Sequence, residues 1–505
     1  MKNIRYITGI VLLVSLFTGC KKWVDFDPHD EYVVTDADYL KSASDYQTMA
    51  VSCYTPMQWL NQVVVIGDIA SDNAVSGGEN ASDVLDLQHI DDYTVTTNNG
   101  QLEEIWHVAY EGVNRTNYLV QYKDKNIAGE TVDFAGKDAI YGEIYFLRAY
   151  YYFNLVRFFG DVVLFTDRKL GVADFGTLQR SPKAEVYIQI EADLNAAIAV
   201  LPPTNTQPGR ITKYAAQALL GKVLLYQGEN QEKIDAAAAI FQDVDNWPFS
   251  LVPNIGDIFL LSGENGPEAV FEIQYSNGSP YYNWGGVTRG QGNLAAQQCG
   301  VRGLNGTADM PYAVGWSTNL PAQDLANAFA EGDQRKNATI LDIEAYKTDN
   351  PAFNITYQVA PFKNTGLYNK KYLPMKGQTS GQVELNYANN QRIIRYADVL
   401  LMAAEAFNRS SSPNDSKAQG FLNQVRQRAF GDNLHDITAT GAALKQAIWE
   451  ERRLELAMEG DRFFDLVRTG QAAAKIPGFV AGKNEVFPIP QKEINISGIS
   501  QNTNW

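Results

Sequence analysis

Residues 141–159, YGEIYFLRAYYYFNLVRFF, place Ile144, Leu147, Tyr151, Leu155 and Phe158 three and four positions apart. That spacing stacks the apolar side chains on one side of a 3.6-residue period and predicts an amphipathic helix. Gly160 stops it. Tyr187, Ile190, Leu194, Ala197 and Leu201 repeat the pattern, with Ser181 as N-cap, Pro182 at the first helical position and Pro202-Pro203 as the stop. A third helix is predicted over Thr212–Gln227. A fourth, KIDAAAAIFQDV, follows a short polar turn. Ala215, Ala216, Ala218, Gly221 and then Ala236–Ala239 let this last pair approach closely, in the manner of a tetratricopeptide unit. Ile393–Arg409 and Ser416–Ala429 make another such pair, although no strict 34-residue period is present.

Between about residues 250 and 390 the helical period is lost, and Gly, Asn, Pro and aromatic residues become frequent. Phe271–Tyr275 alternates as a short strand. The long stretch after it is rich in aromatic rings, which argues for an ordered, functional loop region. The pattern as a whole predicts a mainly α fold. A tetratricopeptide-like helical scaffold would carry a loop-rich ligand-binding face and a few short strands.

The start of the chain sets the compartment. Lys2 and Arg5 precede the apolar run Ile7–Phe17, which is too short to span the roughly 20 residues a bilayer needs. Thr18-Gly19-Cys20 then resembles a bacterial lipoprotein box, in which the cysteine is lipidated. Residues 1–19 are read as a lipoprotein signal peptide and 20–36 as the lipidated Cys20 and an acidic tether. The remainder, 37–505, is one domain, with scaffold at about 37–250 and 391–475 and the loop-rich insert at about 251–390.

Loss of Lys2 and Arg5 lowers the 42 Lys and Arg to 40 against 58 Asp and Glu, so the net charge moves from −16 to −18. Such an acidic chain is repelled by nucleic acid, whose binding rests on phosphate neutralisation. Cys53 and Cys299 are far apart and form no metal-ligand spacing. The four histidines, His29, His89, His107 and His435, form no His-x-x-x-His pair. No nucleophile elbow or phosphate-binding loop occurs. The stretch Asp68, Asp72, Asn73, Glu79, Asp83 lacks the EF-hand order and reads as a plain acidic loop. Glu450, Glu451, Glu455, Glu459, Asp461 and Asp465 lie among four arginines. Paired carboxylates serve glycoside hydrolysis, but interleaved arginines lower carboxylate pKa values where a general acid needs one raised. An ion-pair network is expected, with Arg452 near Glu455 and Glu459 near Arg462 at i,i+3. No catalytic residue, cofactor or metal is assigned, and a glycosidase is the least favoured function.

Several segments in a fixed order carry a resemblance: IWHVAYEGVNRTNYLV, the Arg-Ala-aromatic run leading to Gly160-Asp161, RYADVLLMAAEAFNRS, LNQVRQRAF, EERRLELAMEGDRFFDLVRTG, and FPIPQKEINISGISQNTNW. They resemble the SusD/RagB family of outer-membrane nutrient-binding lipoproteins of Bacteroidetes, the last segment matching its closing strand and tail. The resemblance implies a non-enzymatic, cell-surface protein that binds oligo- or polysaccharide. It also implies a partner, a TonB-dependent β-barrel transporter, with lipid anchorage in the outer membrane. Peptide or protein cargo is the alternative.

A sugar ring rests its C–H face on an aromatic side chain while its hydroxyls need polar partners at the rim. The candidate ligand-binding residues are therefore Trp59, Asp72 and Asn73 from the N-terminal part, and Tyr281, Tyr282, Trp284, Arg289, Tyr312 and Trp316 from the long loop, with Arg302 beside them. Trp284 is the leading single candidate. Trp106 and Tyr150–Tyr152 sit at core spacing and are left out.

Overall fold

The computed structural model describes residues 39–281, 289–359, 362–380 and 385–505. Cys20, the signal segment, the tether, Tyr282 and Trp284 lie outside the described residues. The longer helices are α1 (Ala43–Trp59), α2 (Gly100–Gln121), α3 (Lys137–Phe159), α4 (Lys183–Val200), α5 (Lys213–Leu225), α6 (Gln231–Ile240), α7 (Tyr396–Arg409), α8 (Asp415–Phe430) and α9 (Gly441–Glu455). Each packs on its neighbour in sequence, and α6 packs on α7 although residues 241–395 intervene. The architecture is mainly α and tetratricopeptide-like, with only short strands.

Local chemistry sets the helix ends. Thr212 caps α5 by accepting the Ala215 N–H at 3.2 Å. For α4 the boundary falls one residue later than the sequence reading: Pro182 is the N-cap, and Ser181 instead belongs to a short strand paired with Val162. The small residues act as expected between α5 and α6. A Cβ on Gly221 would sit 2.1 Å from the Phe241 ring, so only glycine admits that ring.

Helix α3 departs from its predicted one-sided pattern. It is packed on by α1, α2 and α4, and nearly every side chain from Ile140 to Phe159 is buried. Its charged residues enter the core paired. Arg148 grips Asp193 of α4 with bonds of 2.8 and 2.6 Å, and Glu143 accepts from Arg210 at 2.6 Å. Unpaired, such charges would be too costly to bury.

The insert opens and closes on one antiparallel pair, Ala269–Ile273 with Gln391–Arg395, in which Glu272 faces Arg392. The first strand begins two residues before the position read from alternation. The loops have a core of their own, built from residues such as Val301, Leu304, Leu341, Ile355 and Tyr368. At the C-terminus, the expected closing strand is instead the short helix Gln491–Ser497, capped by Pro490. Proline pre-sets the backbone for a helix start and donates nothing to a strand ladder.

The arginine-carboxylate stretch is a structural network, but its partners are not the i,i+3 neighbours expected. Arg452 pairs with Asp398 at 2.6 Å and Asp465 at 3.1 Å. Glu455 takes Arg428 at 2.6 Å, Arg395 at 2.9 Å and Arg335 at 3.4 Å. Glu459 pairs with Arg395 and Lys371, and Arg462 reaches Asp72. Burial alone would raise the Glu455 carboxyl, but Arg428, Arg395 and Arg335 hold it well below the usual carboxylate range. The helix-end residues thus clamp the insert onto the scaffold.

Candidate functional site

Two loops of the insert cross at Gly300 and Gly315. A Cβ on Gly315 would lie 2.2 Å from the Gly300 Cα, and one on Gly300 would lie 2.7 Å from the Gly315 Cα. Only glycine allows this backbone approach. The crossing fixes the segment that follows: the Gly315 N–H donates to the Val301 carbonyl at 2.9 Å, Trp316 to Gln297 at 2.8 Å, and Ser317 to Gly300 at 2.9 Å.

Trp316 is partly buried on this rigid base. Arg302 donates Nε to the Trp316 carbonyl at 3.1 Å and Nη2 to Asp83 Oδ2 at 2.7 Å. The Glu79 N–H donates to the same Asp83 oxygen at 2.8 Å, and the mostly exposed Glu79 carboxylate stands 3.6 Å from Arg302. Loop 76–84 is thereby held beside Trp316. Trp316, partly exposed, thus carries a guanidinium on its main-chain carbonyl, with the Asp83 and Glu79 carboxylates on that guanidinium. Tyr312 stacks obliquely on Tyr346, centroids 5.3 Å apart, at the edge of the loop core, and burial pushes its phenol up to about 12.

Trp59 and Arg289 form a second place. Trp59, at the end of α1, donates its indole N–H to the Gly290 carbonyl at 3.0 Å. The Arg289 guanidinium lies 4.9 Å from the indole centroid and Arg115 lies 5.4 Å from it, both within cation–π range. Arg289 is held in turn by Glu104 at 3.1 Å and Glu111 at 3.4 Å. A cleft of about 450 Å³ opens here, lined also by Gln58, Arg210, Gln274 and Pro280. Tyr281, next to Pro280 in sequence, is 36% exposed.

Asp72 and Asn73 stand in neither group. Asp72 accepts from Arg462 at 2.7 and 2.8 Å, and Asn73 Oδ1 accepts from Arg453 Nε at 2.8 Å. Burial works against the Asp72 carboxylate, but Arg462 and then Arg453 outweigh it and hold its pKa below the ordinary value. Both residues tie the N-terminal loop to the end of α9 and beyond, so their polar groups face protein.

The remaining sequence candidates separate cleanly. Trp106 and Tyr150–Tyr152 are in the core, 4% exposed or less. His107 pairs with Glu493 at 2.7 Å, which raises its pKa, the hydrogen bond to Glu493 being the main cause. Among the described residues, no three His, Cys, Asp or Glu converge as a metal site, and no helix is long and apolar enough to cross a membrane. Sequence reasoning did not foresee that Asp83 and Glu79 answer Arg302, or that Glu104 and Glu111 answer Arg289. These partners lie 178 or more residues apart, and no local spacing signals them.

Two family models match the chain. One is the SusD family, over residues 267–505; the other is described as starch-binding associating with outer membrane, over residues 22–225. SusD-like protein P2 of Formosa agariphila is 26% identical over 507 residues, covering 97% of this chain and 94% of that protein. A solved structure of a laminarin binding SusD-like protein is 34% identical with a TM-score of 0.81, covering 92% of this chain and all of that one, 100%. Surface glycan-binding protein A from Bacteroides thetaiotaomicron, solved in complex with laminarihexaose, is 26% identical with a TM-score of 0.79, covering 91% of this chain and 99% of that one. With matches over both halves of the sequence and a relative 34% identical across its whole length, the chain belongs to the SusD family.

Proposed function

We propose that this protein is a glycan-binding lipoprotein of the outer-membrane surface, anchored through Cys20, that captures a laminarin-like β-glucan and passes it to a TonB-dependent β-barrel transporter. The observation that carries this reading is the 34% identity and 0.81 TM-score, over 92% of the chain, to a protein named for laminarin binding. The chemistry of the loop face fits it. Trp316 offers an apolar face for a pyranose ring, while Arg302, Asp83 and Glu79 supply donors and acceptors at the rim. Arg289 over the Trp59 ring, with the partly exposed Tyr281 nearby in sequence, offers a second aromatic place on the insert.

Binding without cleavage is part of the proposal. A hydrolase needs one carboxylic acid with a raised pKa beside a second carboxylate at the sugar. The acid-rich C-terminal stretch instead has Glu455 and Asp465 held low by arginines inside the fold, and Asp83 is committed to Arg302. Affinity electrophoresis in laminarin-containing gels tests the reading. Retardation of the protein that is lost in Trp316→Ala and restored in Trp316→Phe supports it, while unretarded wild-type protein refutes it.

A further inference from the structure

A cavity of about 750 Å³ runs along α2, apart from Trp316 and its loop. Tyr110, Asn114 and Tyr118 recur every four residues and so share one face of that helix, with the buried Trp106 one turn before them. At 1.5 Å per residue, the stripe from Trp106 to Tyr118 is about 18 Å long. The opposite wall is the loop after Val163, where Val172 is 83% and Phe175 is 46% exposed. A pocket of this size, mostly apolar and aromatic with a few polar groups, is the usual form of a ligand site.

The polar groups say which ligand. They come as partnered charges of both signs. Glu111 holds Arg115 at 2.7 Å, and Glu493 holds His107 at 2.7 Å. The exposed Lys169 lies over the Tyr118 ring, 5.9 Å from its centroid. Two carboxylates thus stand among a guanidinium, an ammonium and an imidazole, so neither an anion nor a cation meets a field of the opposite sign alone. A hydroxyl donates and accepts at once, and can use both members of each pair. Aromatic faces with such a rim suit a neutral, hydroxyl-rich ring ligand.

The middle of α2 also joins this cavity to the Trp59 cleft. Glu111 and Arg115 line the cavity, while Trp59 and Arg289 line the cleft. Glu111 reaches Arg289 at 3.4 Å, and the Arg115 guanidinium lies 5.4 Å from the Trp59 centroid. The two hollows are therefore divided only by paired side chains that touch both.

We propose that the cavity along α2 is a further subsite for a neutral oligosaccharide segment, and that a glycan lying in the Trp59 cleft continues into it across the Glu111–Arg115 pair. The inference rests on the glycan-binding function proposed for the chain. One polymer held at two places gains affinity without any stronger single contact.

Brief hydrogen exchange read by mass spectrometry, on the full mature chain with and without laminarin, tests it. Wild type is compared with Val172→Asp and Phe175→Asp. Both residues are exposed in a loop, so their replacement leaves the helical core intact. Laminarin should slow exchange of residues 163–178 by about tenfold in wild type, and both variants should lose that slowing while keeping the slowing around Trp316. Slowing around Trp316 with residues 163–178 unchanged would overturn the inference and leave the glycan-binding function standing. Slowing of residues 163–178 that persists in both variants would overturn it too, because the effect would then reach the loop through the fold. No slowing in any segment would overturn the inference and the proposed function together.

Discussion

Arg395 and Glu455 meet at 2.9 Å with their side chains 1% and 0% exposed, joining the strand that closes the insert to the last turn of α9. Glu455 also holds Arg428 and Arg335, so its removal takes a shared carboxylate from three interior guanidinium groups, leaving Arg395 with Glu268 and Glu459, Arg428 with Glu268, and Arg335 with Asp333 and Glu451. Breaking a buried pair by deleting one partner typically costs about 3–5 kcal/mol. Glu455→Ala is expected to lose that much stability in denaturant unfolding. A loss under about 1 kcal/mol would show that the network is incidental.

Asp68 gives the pH dependence its sign. It is fully buried, accepting the Gly460 N–H at 3.0 Å and the Asn319 amide at 2.9 Å. Burial is the main cause that raises its carboxyl to about 7 from an ordinary 3.8. The folded state therefore holds a proton that the unfolded state releases near pH 4. This contribution to stability is full below that pH and is lost as pH rises from about 4 to about 7. Asp68→Asn removes the titration, and Asn319 Oδ1, buried with no partner among the described residues, offers the new amide an acceptor. Between pH 4.5 and pH 8 the stability difference should move in the variant's favour by up to about 3 kcal/mol. A difference that stays flat with pH would contradict the assignment.

The crossing of Gly300 and Gly315 should govern the binding face from below. Gly315→Ala forces a methyl group into the Gly300 backbone, 2.2 Å from its Cα. Overpacking of this kind costs about 1–3 kcal/mol and shifts the backbone that seats Trp316. Melting temperature and laminarin retardation should fall together. Gly420→Ala is the control: it lies in α8 with nothing within 4 Å of an added Cβ and should be neutral or slightly stabilising.

The helical scaffold was legible because its signals are local. A three-four apolar period and the small residue Gly221 each act within a few residues, and each is realised. The one-sided pattern read for α3 failed because polar positions such as Glu143 and Arg148 enter the core with partners from elsewhere in the chain. The same limit explains the ion pairs. Arg452 was expected near Glu455, but its Asp398 partner lies 54 residues away and is chosen by packing of α7 on α9. Asp72 and Asn73 looked like rim residues for a ligand because their sequence shows two polar groups in a loop, and their arginine partners about 380 residues later are set only by the fold.

The central claim is that the loop face holds an intact β-glucan. Isothermal titration with laminarihexaose, followed by chromatography of the recovered sugar, tests it most directly. The account predicts saturable binding that Trp316→Ala weakens at least tenfold, about 1.4 kcal/mol, with the hexaose recovered whole. Absence of binding heat with this and other glucans, or recovery of shorter sugars, would contradict it.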